Sequence, residues 1–404
     1  MIQKAAADIV IFGGGISGLW LLNCLRKAGL SAILFESVSL GGGQTQKSQG
    51  ILHGGSKYAL QGIFNNEARV LADAQATWRA CLQGHGDIDL SQVSILSPQQ
   101  YLWSPGKWTA LLASTVASKT LNSKITRLNK EAYPTIFQSS GFKGEVYALD
   151  EWIIDIPSLI RELVKTNQDA LFKIEPFSDE EIRFDEQDDL ISATVYMSGK
   201  SVLVTGQQFI FTAGAGNEVI IKKLNIPNLA MQRRPLHMVM AKLPFDYALY
   251  AHCIGLGARP RITITTHHTL EGNTIWYLGG QLAEEGIMRD SISQIKAASN
   301  ELRDLFPWLN FSNVQYSTFM VDRAEPKQKT LIKPENIFLH CQRNIMIAWP
   351  TKLALAPQLS HAILEKLKTI DIEPRFSDLR ELRSWPIPPL AKPIWEDAFC
   401  KNVA

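Results

Sequence analysis

The distribution of apolar and polar residues predicts alternating strands and helices at the start of the chain. Residues 8–12 form a continuous, mostly β-branched apolar run, typical of a strand buried on both faces. Apolar residues then recur at helical spacing over 19–28 and stop at Gly29, a residue that commonly ends helices. A second apolar run, 32–35, leads to Glu36. Together these segments predict a β-α-β unit.

Further along the chain the same patterns predict elements of both kinds. Helical spacing is found over 60–82, 291–306 and 357–368. Short strand-like runs with proline and glycine between them fill residues 87–150. The later strands are predicted at 190–196 and 201–204 (a hairpin), 208–212, 237–243, 261–266, 274–279, 337–340 and 344–349.

The glycines between the first strand and the first helix form a dinucleotide-binding motif. Gly13, Gly15 and Gly18 match G-x-G-x-x-G, and Glu36 follows 18 residues later at the tip of the second strand. The first glycine permits a tight turn, the second lets the backbone approach a pyrophosphate, and the third allows close helix–strand packing. The helix N-terminus supplies N–H donors for the phosphates. A carboxylate at Glu36 binds ribose hydroxyls and disfavours NADP.

Composition narrows the class of protein. The 404 residues are sufficient for two domains, and the formal net charge of +2 gives no reason to expect nucleic acid or an anionic membrane as a partner. The five cysteines include no C-x-x-C, which argues against a metal site, an iron–sulfur cluster or a redox-active disulfide and favours a reducing compartment. No uninterrupted run of 18 apolar residues occurs, so we expect a soluble, cytoplasmic protein.

Three segments carry a family resemblance. The glycine-rich stretch 40–55 resembles the loop that wraps the flavin in FAD-dependent oxidoreductases of the D-amino acid oxidase superfamily. Its part Gly50-Ile-Leu-His-Gly-Gly is most similar to the glycerol-3-phosphate dehydrogenase and 2-hydroxyglutarate oxidase branch. Residues 211–216 resemble the strand end that passes under the FAD, and 347–357 the loop along the flavin O2 edge, although Trp-Pro-Thr-Lys replaces the usual glycines. The resemblance implies FAD as cofactor.

The resemblance also implies the domain organisation. It predicts the α/β class, with a discontinuous Rossmann-like FAD-binding domain of residues 1–85, 150–222 and 331–374. An interleaved β-rich (α+β) substrate domain is predicted at 86–149 and 223–330. Residues 375–404 contain tryptophans and prolines that disfavour a long helix, so this tail is expected to lie extended across the body.

The glycine motif and the resemblance together predict the residues that contact FAD. Lys352, or the N-terminus of the helix after it, is expected to stabilise negative charge on the reduced flavin; the alternative is a solvated surface lysine. The predicted set is Gly13, Gly15, Ile16, Ser17, Gly18, Glu36, Ser37, Gly43, Thr45, Ser48, Gly50, Ile51, His53, Ala213, Gly214, Lys352 and Leu353.

Two residues lead the candidates for catalysis. The resemblance implies that His53 is the catalytic base or a flavin contact; the alternatives are a structural histidine in a glycine turn or a covalent flavin bond. Arg323 resembles the arginine that clamps a substrate carboxylate or phosphate, although the family's neighbouring glycine and proline are missing. Its alternative is an ion pair with Asp322 or Glu325.

Weaker candidates complete the predicted substrate site. Lys57 occupies a position where the branch has a cavity arginine. His237 and Arg234 lie on the approach to a strand that borders the active-site side of the substrate domain in the family. A lone histidine at a strand start is more often structural, and the same caution applies to His267 and His268.

Three functions remain open at this point. The first is an FAD-dependent oxidoreductase that oxidises a small anionic substrate, a 2-hydroxy acid or polyol phosphate, by hydride transfer to flavin N5. The chain has no second G-x-G-x-x-G for a nicotinamide, so NAD(P) is not expected. The second is an amine or amino-acid oxidase of the same fold, and the third a flavoprotein electron-transfer subunit. No metal, nucleic acid or integral membrane partner is predicted.

Overall fold

The computed structural model describes residues 3–54, 66–106, 125–176, 183–187, 190–254, 259–328, 336–370, 372, 374 and 377–399. Within these ranges the strands are β1 (Gln3–Phe12), β2 (Ala32–Glu36), β3 (Ile95–Ser97), β4 (Gln100–Ser104), β5 (Ile125–Arg127), β6 (Glu145–Leu149), β7 (Ile153–Ile154), β8 (Leu171–Lys173), β9 (Arg183–Gln187), β10 (Leu190–Met197), β11 (Lys200–Phe211), β12 (Met231–Lys242), β13 (Ala251–Ile254), β14 (Pro260–His268), β15 (Thr274–Gly279), β16 (Gln315–Pro326), β17 (Phe338–Gln342) and β18 (Ile345–Trp349). The helices are α1 (Ile16–Lys27), α2 (Asn66–Leu82), α3 (Ile156–Lys165), α4 (Asn217–Lys223), α5 (Gln281–Glu285), α6 (Ser291–Leu305) and α7 (Ala356–Thr369).

The first sheet contains the predicted nucleotide-binding strands. Its main order is β17-β18-β11-β1-β2-β8, and the pairs of β1 with β2 and β11, of β2 with β8 and of β11 with β18 are parallel. Ile9 and Ile11 pack with α1, α3 and α7, whereas Val10 and Phe12 pack with α4 and part of the tail. Successive strand residues point to opposite faces. Burial on both faces explains why β1 is continuously apolar.

The structure differs from the sequence predictions in one strand of this sheet and in one helix that packs against it. The runs 201–204 and 208–212 belong to one strand, β11, which pairs first with β10 and then with β18. Gly206 lets the strand continue close to Val10, because an added Cβ would lie 2.8 Å from a methyl group of that valine. Helix α3 was missed, although Asp155 caps it by accepting the Ser158 N–H, a recognisable signal in Asp-Ile-Pro-Ser.

The second sheet has the order β16-β12-β15-β14-β13-β4-β6-β5 and is antiparallel except for the pair β13 and β4. Helix α6 covers one of its faces with a large aromatic and aliphatic core. The other face meets the glycine-rich loop, since the Tyr277 hydroxyl donates to the Lys47 carbonyl and Gln49 Nε2 donates to the Tyr277 carbonyl. The loop therefore lies between the two sheets.

The described part of the tail packs along the body of the protein and contains a short 3-10 turn, Arg380–Leu382. Asp378 bridges to Ala6 in β1, and Leu390 bridges to Leu40 at the start of the glycine-rich loop. Trp395 stacks on His267 of the second sheet, with ring centroids 4.2 Å apart. The tail thus contacts both sheets. The α/β fold class is confirmed, and the domain boundaries remain a prediction. Among the described residues, no helix is long and apolar enough to cross a membrane.

Candidate active site

The glycine turn after β1 has the geometry that a pyrophosphate requires. Gly13 adopts φ +111°, and an added Cβ would lie 2.6 Å from Ala213 Cα. A Cβ on Gly18 would lie 2.8 Å from Thr212 Oγ1 and nearer still to the Gly13 carbonyl oxygen. Gly15, the N-cap residue of α1, supplies no side-chain cap, and the Ile16 N–H is bound by Thr45 Oγ1, so the N–H groups after Ile16 in the first turn can face an anion.

Polar side chains surround this turn. Glu36 accepts the Gly14 N–H at Oε2 and the Val38 N–H at Oε1, both at 2.7 Å. These bonds fix the carboxylate at the strand tip, and its remaining lone pairs suit ribose hydroxyls. Thr45 Oγ1 accepts the Ile16 N–H at 3.0 Å and so ties the glycine-rich loop to the helix start.

The loop itself carries buried polar atoms that a ligand would satisfy. The side-chain amide of Gln46 and the Ser48 hydroxyl meet no hydrogen-bonding partner within the described ranges. Buried polar groups are rarely left without partners, so a polar ligand fits here. Gln46 was missed from the sequence; its place in a glycine-rich loop of polar residues is the available signal. Gly43 adopts φ +59° with open space beside it.

The structure brings the second and third resembling segments to the same turn. Thr212 Oγ1 donates to the Gly13 carbonyl at 3.1 Å, and Gly214, with φ +57°, accepts the Trp349 indole N–H at 3.1 Å. Ala213 donates its N–H to an Asn217 side chain. Lys352 stands directly before the short 3-10 turn Leu353–Leu355 that leads into α7.

The remaining predicted cofactor residues occupy the same region. Ile16 and Ser17 are buried in the first turn of α1, Ser37 follows β2, and Gly50, with φ +69°, precedes Ile51, which bridges to Ile153.

His53 lies against a buried carboxylate and a second histidine. Its Nδ1 lies 3.0 Å from Glu151 Oε2, and Glu151 Oε1 accepts the Gly54 N–H at 3.1 Å. The His252 ring lies nearly parallel to that of His53, with centroids 6.1 Å apart, and its Nδ1 lies 2.8 Å from Thr263 Oγ1. Glu151 and His252 were missed, because the sequence does not show which strand ends meet at His53.

Arg323 is a half-buried cation. It stands opposite Arg234 in the β12–β16 pair, and its Nε donates to the Arg234 carbonyl at 3.1 Å. The predicted alternative of an ion pair with Asp322 or Glu325 is wrong. Asp322 pairs with Arg233, and Glu325 binds Arg234 through two bonds of 2.8 and 2.6 Å. Burial and the Arg234 charge lower the pKa of Arg323 to about 10.

This arrangement favours binding of an anion. Within the described ranges no carboxylate lies within ion-pair distance of Arg323. An anionic ligand group would offset both the burial of this cation and its repulsion from Arg234.

The other candidate histidines, His237 and His267, are buried. His237 is buried within β12 with Nδ1 3.0 Å from the Gly286 carbonyl oxygen, and it faces α6 rather than the side of Arg323. These contacts support the structural alternative. His267 is buried under Trp395, and burial lowers its pKa to about 3. Lys57 falls outside the described residues.

Comparisons with known proteins agree with this geometry. Residues 8–343 match the family model described as FAD dependent oxidoreductase. The chain is 45% identical over 403 residues to the probable FAD-dependent oxidoreductase PA4991 of Pseudomonas aeruginosa, covering 99% of this chain and 100% of that protein. The crystal structure of that protein superimposes with a TM-score of 0.84 at 41% identity, over 99% of this chain and 100% of that one.

More distant structures share the fold. Glycine oxidase from Geobacillus kaustophilus matches with a TM-score of 0.63 at 15% identity, covering 94% of this chain and 98% of that one. L-alpha-glycerophosphate oxidase from Mycoplasma pneumoniae with FAD bound matches with a TM-score of 0.60 at 15% identity, covering 98% of each chain. FAD fits the glycine turn after β1 and the side chains of Gln46 and Ser48 that lack described partners. The chain belongs to the FAD-dependent oxidoreductase family, which includes D-amino acid oxidase-like enzymes.

Proposed function

We propose that this enzyme oxidises a small anionic hydroxy compound, a 2-hydroxy acid or a polyol phosphate. The observation that carries the proposal is that a histidine–carboxylate pair and an arginine without a described carboxylate partner meet the same face of the second sheet. The histidine suits removal of a proton, and the arginine suits recognition of a carboxylate or phosphate.

The strand register supports this common face. Residues paired across a sheet point to the same side. The pairs His252–Thr263, Thr265–Tyr277, Tyr277–Met240 and Arg234–Arg323 therefore trace one face across β13, β14, β15, β12 and β16. His53 stacks on His252 at one side of this face, and Arg323 lies at the other.

The glycine-rich loop crosses the space between them. Lys47 Nζ lies 5.9 Å from the centroid of the Phe319 ring on β16, and the Lys47 carbonyl accepts the Tyr277 hydroxyl. The loop continues from there to His53. An apolar patch of Met238, Met240 and Tyr277 occupies the sheet beneath it. These three side chains are buried with Trp395 in one core cluster, so they form a rigid support under the loop.

The residues divide the chemistry between them. Bound FAD would supply N5 as the acceptor for the hydride that leaves the substrate carbon. His53 Nε2 takes the hydroxyl proton as the carbonyl forms, and Arg323 holds the anionic end so that the reacting C–H bond keeps one orientation. A hydroxyl group is a weak acid and requires such a base, whereas a neutral amine already offers a lone pair. The histidine–carboxylate pair therefore favours hydroxy substrates over amines.

Amino-acid oxidation is the second candidate, because Arg323 would bind a substrate carboxylate equally well. The likeness in fold to glycine oxidase supports the same alternative. Anaerobic mixing separates the candidates. The holoenzyme is mixed with 2-hydroxyglutarate, lactate, glycerol 3-phosphate, glycine and D-alanine, and the flavin absorbance is followed. Bleaching by a hydroxy compound supports the proposal. Bleaching by amines alone would overturn it, and bleaching by none would favour an electron-transfer subunit.

Arg323→Lys tests the anion clamp. Lysine keeps the charge but loses the two-pronged geometry, so we expect the flavin to be reduced roughly 10- to 100-fold more slowly at an unchanged FAD content. Arg127→Lys is the matched control, since that side chain is 64% exposed on the edge strand β5. A normal reduction rate with a lower melting temperature in Arg323→Lys would assign Arg323 to structure.

A further inference from the structure

We propose that Glu151 is a positioning residue that holds His53 in one tautomer, with its proton on Nδ1 and its lone pair on Nε2. This inference rests on the proposed role of His53 as the base and extends it to a residue outside the sequence motifs. Without a fixed tautomer, a neutral histidine presents a proton or a lone pair to the substrate interchangeably.

Backbone pairing brings the two residues together. Ile51 bridges to Ile153 in antiparallel fashion, and the Leu52 N–H donates to the Trp152 carbonyl at 2.8 Å. Two residues beyond that bridge, in opposite chain directions, His53 and Glu151 stand across from each other. The juxtaposition therefore follows from the register that also shapes the glycine-rich loop.

The environment of Glu151 fixes the direction of the hydrogen bond. The residue is 1% exposed, and its Oε1 already accepts the Gly54 N–H. An ionised carboxylate only accepts hydrogen bonds, so with Glu151 ionised the 3.0 Å contact between Oε2 and His53 Nδ1 places the proton on Nδ1. The His53 side chain is 36% exposed, which leaves Nε2 accessible to a ligand.

His252 completes the arrangement by packing along the ring of His53, with 11° between the ring planes. One potential ligand atom from each of His53, Glu151 and His252 lies within 4.8 Å of the other two, a spacing that a metal ion also accepts. The hydrogen bond between His53 and Glu151 leads us to assign the cluster to proton handling.

The tautomer is tested directly by NMR of ¹⁵N-histidine-labelled holoenzyme, with His53→Gln used to identify the His53 signals. We expect a protonated Nδ1 and an unprotonated Nε2 at neutral pH. In Glu151→Gln, the amide NH₂ group faces either the Gly54 N–H or His53 Nδ1, and it cannot accept a hydrogen bond from that neighbour. We therefore expect His53 to lose its Nδ1 proton in a measurable fraction of molecules. A protonated Nε2 in the wild type, or an unchanged tautomer in Glu151→Gln, would overturn the proposal.

A second experiment measures the rate at which the hydroxy compound that bleaches the flavin reduces it in the wild type and in Glu151→Gln. Loss of an orienting carboxylate behind a catalytic histidine costs about 10²- to 10⁴-fold in rate, and we expect a loss in that range for Glu151→Gln. Residues that act as one unit are not additive. Glu151→Gln should therefore cost less than about twofold when added to His53→Gln.

Asp8→Asn is the control, because Asp8, within β1, is also a buried carboxylate and accepts hydrogen bonds from Ser31 and Gln207. It should lower stability and leave the reduction rate intact. Additive losses in the Glu151 and His53 double variant, or Zn²⁺ binding by the wild type that Glu151→Gln abolishes, would overturn the proposal. If no compound bleaches the flavin, the proposed function fails, while the NMR arm still decides the tautomer.

Discussion

Gly18→Ala should release FAD from an otherwise folded protein. The added methyl group would lie 2.8 Å from Thr212 Oγ1 and closer still to the Gly13 carbonyl oxygen. Ordinary contacts between such atoms begin near 3.5 Å, so the glycine turn must move by roughly 1 Å relative to α1. Backbone atoms cannot rotate away as a flexible side chain does. The substitution therefore separates the turn from the helix N-terminus that together face the pyrophosphate.

The magnitude follows from the hydrogen bonds that this movement breaks. A hydrogen bond to a charged group contributes about 1.5–3 kcal/mol, and loss of two of them corresponds to about 3–6 kcal/mol. Since 1.4 kcal/mol is a factor of ten, the Kd for FAD should rise by about 10²- to 10⁴-fold.

The assay is reconstitution of the apoprotein with FAD, followed by quenching of flavin fluorescence, with circular dichroism to establish that the variant is folded. Gly29→Ala is the control within the same β-α-β unit. Gly29 has φ +85° but open space around it, so alanine there strains the backbone without disturbing the turn. It should cost stability and leave FAD affinity near wild type. A Gly18→Ala protein that binds FAD within threefold of the wild type would refute the reasoning.

Three further predictions follow from individual contacts. Glu36→Ala should weaken FAD binding by about 1–3 kcal/mol, measured by the same titration, and unchanged affinity would place the ribose elsewhere. Trp395→Ala should destabilise the fold by about 3–5 kcal/mol, seen in thermal melts, because the indole is 3% exposed and stacked on His267. Burial lowers the pKa of His267 from 6.5 to about 3, so the unfolded chain binds a proton that the folded protein does not. Stability is therefore lost as pH falls from 6.5 towards 3, by about 2 kcal/mol at pH 5. His267→Phe should remove that part of the pH dependence. If the wild type and His267→Phe lost the same free energy of unfolding between pH 7 and pH 5 in denaturant melts, the prediction would be contradicted.

The sequence by itself determined the cofactor turn, because its chemistry is local. The positive φ of Gly13 and the close approach of Gly18 to the Gly13 carbonyl lie within one strand–turn–helix unit, and Glu36 ends the adjacent parallel strand. The continuous apolar run of β1 likewise predicts a strand buried on both faces. Short-range periodicity and turn chemistry are sufficient for such features, and together with the family resemblance they predicted the fold class.

Only the tertiary structure decided which side chains surround the candidate substrate site. An antiparallel bridge between segments about a hundred residues apart places Glu151 beside His53. His252 stacks on His53 from strand β13. Arg323 proved to lack the acidic partners that its neighbours in sequence offered, because strand pairing gave those carboxylates to Arg233 and Arg234. Register between distant strands sets these contacts, and no local pattern of residues encodes that register.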